Sequence, residues 1–228
     1  MLGGWRVGKV LDFKPRHVNK MLTFDPGVSP SNGLGFAIVN IDAEIFGGPK
    51  NKPFLSHCGL IVPFASAPKI VTMEELCDKA IETWRTLEGF TREPKVLVIE
   101  HPIIYPNSPA RKQDLLDLGK LAGMLSRCFQ PQRKLGPIAN EWKGNAPKSA
   151  TQDYVLSMLD GRSKKILEIN LASIPLGKRH NVFDALGLAF YAASVLLKKT
   201  PTPINDYQPK EYQMPLIKNS NEVVYARY

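Results

Sequence analysis

Three acidic residues stand apart from the runs that contain them. Asp25 ends the short apolar stretch MLTFD and is followed at once by Pro26 and Gly27. Glu100 closes VLVIE, and Asp184 sits inside NVFDALGLAFYAASVLL, which is otherwise apolar. Each has an ordinary explanation of its own: Asp25 opens a Pro-Gly turn, Glu100 pairs with a nearby Lys or Arg, and Asp184 suits the dipole of a helix N-terminus. Brought together at one end of a sheet, however, three carboxylates repel one another, and burial sharpens the repulsion. A charge within an apolar run is costly unless it is paired or bound to a metal. Divalent cations relieve both problems. Mg²⁺ prefers hard oxygen ligands and often takes a few carboxylates plus water and substrate phosphate. Two such ions about 3.5–4 Å apart clamp the attacking and leaving oxygens of an in-line phosphodiester displacement.

The elements that must position these residues follow from the patterning. MLTFD (21–25), GFAIVNI (35–41) and CGLIVPF (58–64) read as three consecutive strands of an antiparallel meander, the first two joined by the turn-rich PGVSPSNGLG. TMEELCDKAIETWRTLEGF reads as a helix: Thr72 and Glu75 form a capping box, Leu76, Ala80, Trp84 and Leu87 keep an apolar stripe, and Gly89 suits the stop. KVLVIEH (95–101) is apolar without alternation, as in a strand covered on both faces. A Pro-rich loop leads to a helix over roughly 112–128. A polar stretch carrying PIANEWKGNAPK precedes a helix at SATQDYVLSML, an irregular basic segment and a short strand at KILEIN. The longest helical signal then begins at NVFDALGLAF, with Asp184 on its first turn.

Composition bounds the possibilities. At 228 residues, 43% hydrophobic and 22% charged, the chain suits one folded domain with trimmings. We divide it into a basic arm (1–20), a domain (21–199) and a tail (200–228) with little periodicity, which lies over the domain or a partner. No run approaches the roughly 20 apolar residues needed to span a bilayer, and the N-terminus lacks the h-region of a secretory signal. Cys58, Cys77 and Cys128 are odd in number and far apart, which argues against a disulfide framework or a CxxC zinc site and favours a reducing compartment. Thirty Lys and Arg against twenty-one Asp and Glu give a net charge of +9. A basic protein of this size is a candidate for binding polyanions, where neutralised phosphates release counterions. With the acidic constellation, that balance suggests a nuclease.

Four segments carry a family resemblance. LTFDPGVSPSNGLGFAIV is similar to the opening strand-turn-strand of the RuvC-type Holliday-junction resolvases, within the RNase H-like superfamily, here with a slightly longer turn. VLVIE followed by Tyr105, Asn107 and LGKLAG looks like their second acidic strand and its helix. PIANEWKGNAPKSATQDYVLSML resembles their lysine- and glycine-bearing stretch, and HNVFDALGLAF their closing acidic helix. The four occur in register over residues 21–199, and the WKG…PK wording is nearest to phage-type RuvC-like proteins.

The resemblance implies an α/β fold with an RNase H-like mixed sheet, three antiparallel strands then parallel strands, flanked by helices. It makes Asp25, Glu100 and Asp184 the ligands of Mg²⁺, two ions per site with Mn²⁺ as a substitute. It also implies a homodimer that cleaves branched DNA, four-way junctions above all, in the cytoplasm of a bacterium or a phage-infected host. The helix at 112–128 is the implied interface. One position departs from the family pattern. A fourth ligand, Asp or His, is usual one turn before the last Asp, where this chain has Asn181, with His180 beside it. Three readings are open: His180 substitutes, Asn181 ligates weakly through its amide oxygen, or Asn181 replaces an Asp and inactivates the chain.

Lys143 and Lys148 are expected beside the active site, at the phosphates flanking the scissile bond, with Lys148 near the metals. Arg111 and Lys112 are placed to reach a junction arm, and Tyr105 to stack on an exposed base at its centre. For each, an ordinary surface or packing role is the competing explanation. Two other functions compete with the resolvase: another RNase H-like nuclease of terminase or RNA/DNA-hybrid type, and a junction-binding protein whose cleavage Asn181 impairs.

Overall fold

Alternation along the first strands sets the architecture. In the computed structural model, which describes residues 20–26, 33–40, 54–62, 72–89, 93–102, 112–144 and 146–196 and the backbone of 214–218 and 222–226, β1 (Lys20–Asp25) pairs antiparallel with β2 (Leu34–Asn40), and β2 antiparallel with β3 (Phe54–Ile61). After α1 (Met73–Glu88), β4 (Val96–Ile99) lies parallel to β1. After α2 (Lys112–Phe129), β5 (Arg133–Leu135) lies parallel to β4. The sheet order is β3-β2-β1-β4-β5. The chain continues through α3 (Ala139–Trp142), α4 (Lys148–Met158), α5 (Gly161–Ala172) and α6 (Arg179–Leu196), with a 3₁₀ turn at Leu176–Lys178. This is the mixed sheet flanked by helices that the sequence implied.

Because side chains alternate across a strand, the two faces gather separate cores. Leu22, Phe24, Phe36, Ile38, Leu97 and Ile99 pack with α1 and α2. Met21, Ala37, Val39, Val96 and Val98 pack on the other face with α4, α5 and α6. The result is a helix–sheet–helix sandwich. Each fully buried large side chain, Phe24 and Phe183 among them, contributes about 1.5–3 kcal/mol. The capping box of α1 forms as expected: Thr72 Oγ1 accepts from the Glu75 N–H at 3.2 Å and Glu75 Oε2 accepts from the Thr72 N–H at 3.3 Å. Gly89 follows at φ +86°, a conformation only glycine adopts without strain.

Five expectations need correction. KILEIN is part of α5, not a strand: Ser163, Leu167 and Leu171 are buried at helical spacing while Ile169 is 64% exposed. Asp160 caps that helix, its Oδ1 accepting from the Ser163 N–H at 2.7 Å. The third strand begins earlier, at Phe54, and ends at Ile61. The polar stretch before α4 holds β5 and α3, too short and too charged to announce themselves. Helix α6 begins at Arg179, so Asp184 lies on its second turn, and the dipole explanation for that carboxylate loses force. In the tail, 214–218 and 222–226 form an antiparallel hairpin, β6 and β7. Residues 1–19 of the basic arm lie outside the described residues. No helix among the described residues is long and apolar enough to cross a membrane.

At the opposite end of β1 from Asp25, a second charged cluster joins three elements. The buried Glu88 carboxylate pairs with Lys20 and lies 3.7 Å from His57 Nδ1. Burial first, and the Lys20 ammonium second, hold the His57 imidazole below its ordinary pKa. The folded chain therefore binds the His57 proton less readily than the unfolded chain. Stability from this group is complete above the unfolded value near 6.5 and is lost as pH falls through the lower folded value. Melting curves from pH 7.5 to 5 should show a smaller acid loss for His57→Gln than for the parent; equal losses would refute this assignment.

Candidate active site

Strand alternation aims the first two carboxylates. Met21 faces α6, so Thr23 and Asp25 do as well; Val96 and Val98 face the same way, and Glu100 continues their side. The parallel register pairs Phe24 with Ile99, which sets Asp25 and Glu100 side by side at one sheet end. Asp25 is buried, at 5% exposure.

The third carboxylate arrives on α6, and a glycine decides how near it comes. Gly35 is the register partner of Asp25 on β2. A Cβ there would fall 2.1 Å from the Asn181 carbonyl oxygen and 2.5 Å from its carbonyl carbon. Helix α6 thus rests directly on the β2 backbone beside Asp25. Asn181 is buried at this crossing, and Asp184 follows on the same helix face.

The sequence WKG completes the site, each residue with its own task. Trp142 is buried, and its Nε1–H donates to Glu100 Oε2 at 2.9 Å. Its ring lies against Gly187 of α6, where a Cβ would come within 2.7 Å of the ring. Gly144, at φ +54°, ends α3 and turns the chain; its N–H and that of Lys143 both donate to the Ala139 carbonyl at 2.9 Å. Between them, Lys143 extends into the acidic cluster. Its Nζ lies 3.2 Å from Asp184 Oδ2, 3.7 Å from Glu100 Oε2 and 4.7 Å from the centre of the Trp142 ring.

The electrostatics reflect this crowding. Burial pushes the Glu100 carboxyl above its ordinary range; Lys143 and the Trp142 hydrogen bond work against that, while Asp184 adds to it. Burial alone would lower the Lys143 pKa, but Asp184, Glu100 and Asp25 together outweigh it and hold the ammonium above the usual lysine range. His180 is held low, first by burial and then by Lys148, with Asp184 opposing.

Among the described residues, no three His, Cys, Asp or Glu side chains converge closely enough to enclose a metal ion. The carboxylates are instead arranged about the Lys143 ammonium, a cation in the place where the oxygen donors are most concentrated. Carboxylate oxygens are the kind of donor a hard divalent ion prefers.

No family model and no curated protein matches this sequence. The chain is similar to Thermus thermophilus RuvC in complex with a Holliday junction substrate, at 13% identity over 78% of this chain and 96% of that one, with a TM-score of 0.42. It is also similar to the yeast mitochondrial Holliday junction resolvase Ydc2, at 14% identity over 78% of this chain and 80% of that one, with a TM-score of 0.45.

The remaining expected residues divide. Lys148 opens α4, exposed and close enough to His180 to influence it. Lys112 is exposed at the start of α2. Arg111 and Tyr105 lie outside the described residues. Sequence reasoning missed Trp142 as a carboxylate donor and Gly35 and Gly187 as the points of close approach. The available signal was Gly187 within an apolar helix, a position that costs helix stability unless a neighbour needs the room.

Proposed function

We propose that the chain is a divalent-metal-dependent endonuclease whose substrate class is branched DNA, four-way junctions above all. The observation that carries this is the Lys143 ammonium set between Asp184 and Glu100, at 3.2 and 3.7 Å, with Asp25 on the neighbouring strand end near enough to act on it electrostatically. In this reading Asp25, Glu100 and Asp184 hold Mg²⁺ or Mn²⁺, and the Asn181 amide oxygen is a weak fourth ligand. When bound, such ions supply Lewis-acid stabilisation of the phosphoryl oxygens and a water nucleophile active at neutral pH. The strand ends hold Asp25 and Glu100 rigidly, and Trp142 keeps Glu100 oriented through its N–H. Lys148 contacts a phosphate beside the scissile bond. Arg111, Lys112 and Tyr105 contact the junction arms and centre. The choice of branched DNA follows the sequence resemblance described above. A homodimer joined through α2, where Leu116 is 54% exposed, would set two sites on opposing strands.

The test is cleavage of four-way, Y-shaped and linear duplex DNA with Mg²⁺ and with Mn²⁺. The parent chain should nick the four-way junction symmetrically. Asn181→Asp should cut about tenfold faster, because a carboxylate binds a hard cation more strongly than a neutral amide. Inactivity of both chains on every branched substrate would overturn the reading. Tight junction binding in EDTA with no nicking after metal addition would favour the binding protein that Asn181 suggests.

A further inference from the structure

The position of Lys143 points to a role beyond contact with DNA. We infer that Lys143 is a built-in, exchangeable counter-ion: its ammonium neutralises the acidic cluster in the metal-free protein and must leave Asp184 and Glu100 when a divalent cation binds there. The inference rests on the nuclease reading above and adds to it how the empty site is kept stable and what sets its metal affinity.

Three observations converge on it. First, the Nζ bridges two carboxylates from different elements, at 3.2 Å to Asp184 Oδ2 and 3.7 Å to Glu100 Oε2. With its side chain 23% exposed and those of Glu100 and Asp184 20% and 13% exposed, the cluster is sheltered enough for charge balance to matter. Second, the acids are spaced about the ammonium and do not enclose a three-ligand cavity. A single +1 charge therefore does the work at the cost of the ligand geometry. Third, Lys143 has somewhere to go. Gly144 follows at φ +54°, the residue rides on a turn and not within a long helix, and its ammonium already lies over the Trp142 ring, 4.7 Å from the centre. The ammonium can rotate towards solvent and a bound phosphate while Trp142 and its bond to Glu100 stay in place. Lysine suits this better than arginine, because it is a point charge on a flexible stem and not a fork locked to one carboxylate.

The consequence is a competition. Any divalent ion must displace one ion-paired ammonium, so the parent binds metal more weakly than its donor set allows. Removing the charge should raise affinity, an effect opposite to that of a residue that merely supports the fold. The experiment is calorimetric titration of the full chain without DNA, using Mn²⁺ and Mg²⁺, on the parent, Lys143→Met, Lys143→Gln and Asp184→Asn. Melting curves in EDTA and in Mn²⁺ accompany it. Both Lys143 variants should bind Mn²⁺ about tenfold more tightly than the parent, the scale of one partly buried ion pair. Both should melt below the parent in EDTA and gain more from Mn²⁺. Lys143→Gln keeps a polar group in the cluster and serves if Lys143→Met does not fold. Equal or weaker Mn²⁺ binding by a folded Lys143 variant, with binding lost in Asp184→Asn, would overturn the inference and leave the nuclease reading standing. Absence of Mn²⁺ binding in the parent and every variant would overturn both.

Discussion

On the proposed function, Asp184→Asn is expected to lose cleavage of a four-way junction by about 10³-fold or more, equivalent to about 4 kcal/mol of transition-state stabilisation, while remaining folded. The substitution keeps the shape of the side chain and removes its charge. At the site it deletes one of the proposed metal-ligand carboxylates and the shorter of the two ion-pair contacts to Lys143, at 3.2 Å. The fold loses less, because Lys143 retains Glu100 at 3.7 Å and Asp184 is not among the fully buried side chains. Single-turnover cleavage at saturating protein, set beside a melting curve, separates the two effects. Activity within threefold of the parent would remove Asp184 from the catalytic machinery and with it the proposed constellation.

Gly35→Ala should be the most damaging one-carbon change near the site. The added methyl would meet the Asn181 carbonyl at 2.1 Å, and backbone atoms cannot turn aside as a side chain would. Either α6 lifts from the sheet or β2 bends, and both move residues of the buried core. Overpacking typically costs 1–3 kcal/mol; against backbone, about 3 kcal/mol is expected. For a chain of this size that lowers the melting temperature by about 6–12 °C. Lifting α6 also draws Asp184 away from Asp25 and Glu100, and a displacement near 1 Å can cost about 10²-fold in rate. Gly119→Ala on α2, where a Cβ would meet nothing within 4 Å, is the control. It should stabilise slightly, by up to about 1 kcal/mol, because alanine favours the helix. A Gly35→Ala protein that melts with the parent would mean that the helix does not rest on β2 as described.

The sequence announced those features that depend on neighbours in the chain. Asp25 and Glu100 were legible because each ends an apolar strand, and Asp184 because a carboxylate interrupts an apolar helix. The meander and the capped α1 were legible from period-2 and period-3.6 patterns. What stayed hidden depends on distant partners. Trp142 was not legible as a carboxylate partner, and Lys143, expected beside the site, was read as a phosphate contact; only packing brings them to Glu100 and Asp184, more than forty positions away. Strand β5, with the sequence RKL, has no strand signal and exists because β4 offers an unpaired edge. In KILEIN, three apolar residues suggested a strand, but the burial of Leu167 with Leu171 and the Asp160 cap favour a helix.

The parallel pairing of β1 with β4 carries one more consequence, for when the site comes into being. Asp25 and Glu100 become neighbours only after the whole meander and α1 have been looped between them, and Asp184 joins only when the last long helix docks. Contacts of such sequence separation are closed late, because loop entropy must be spent before they form. A chain emerging from the ribosome therefore carries no assembled acidic cluster until residue 196 is in place. On the proposed function, its nuclease chemistry becomes possible only once that helix has docked.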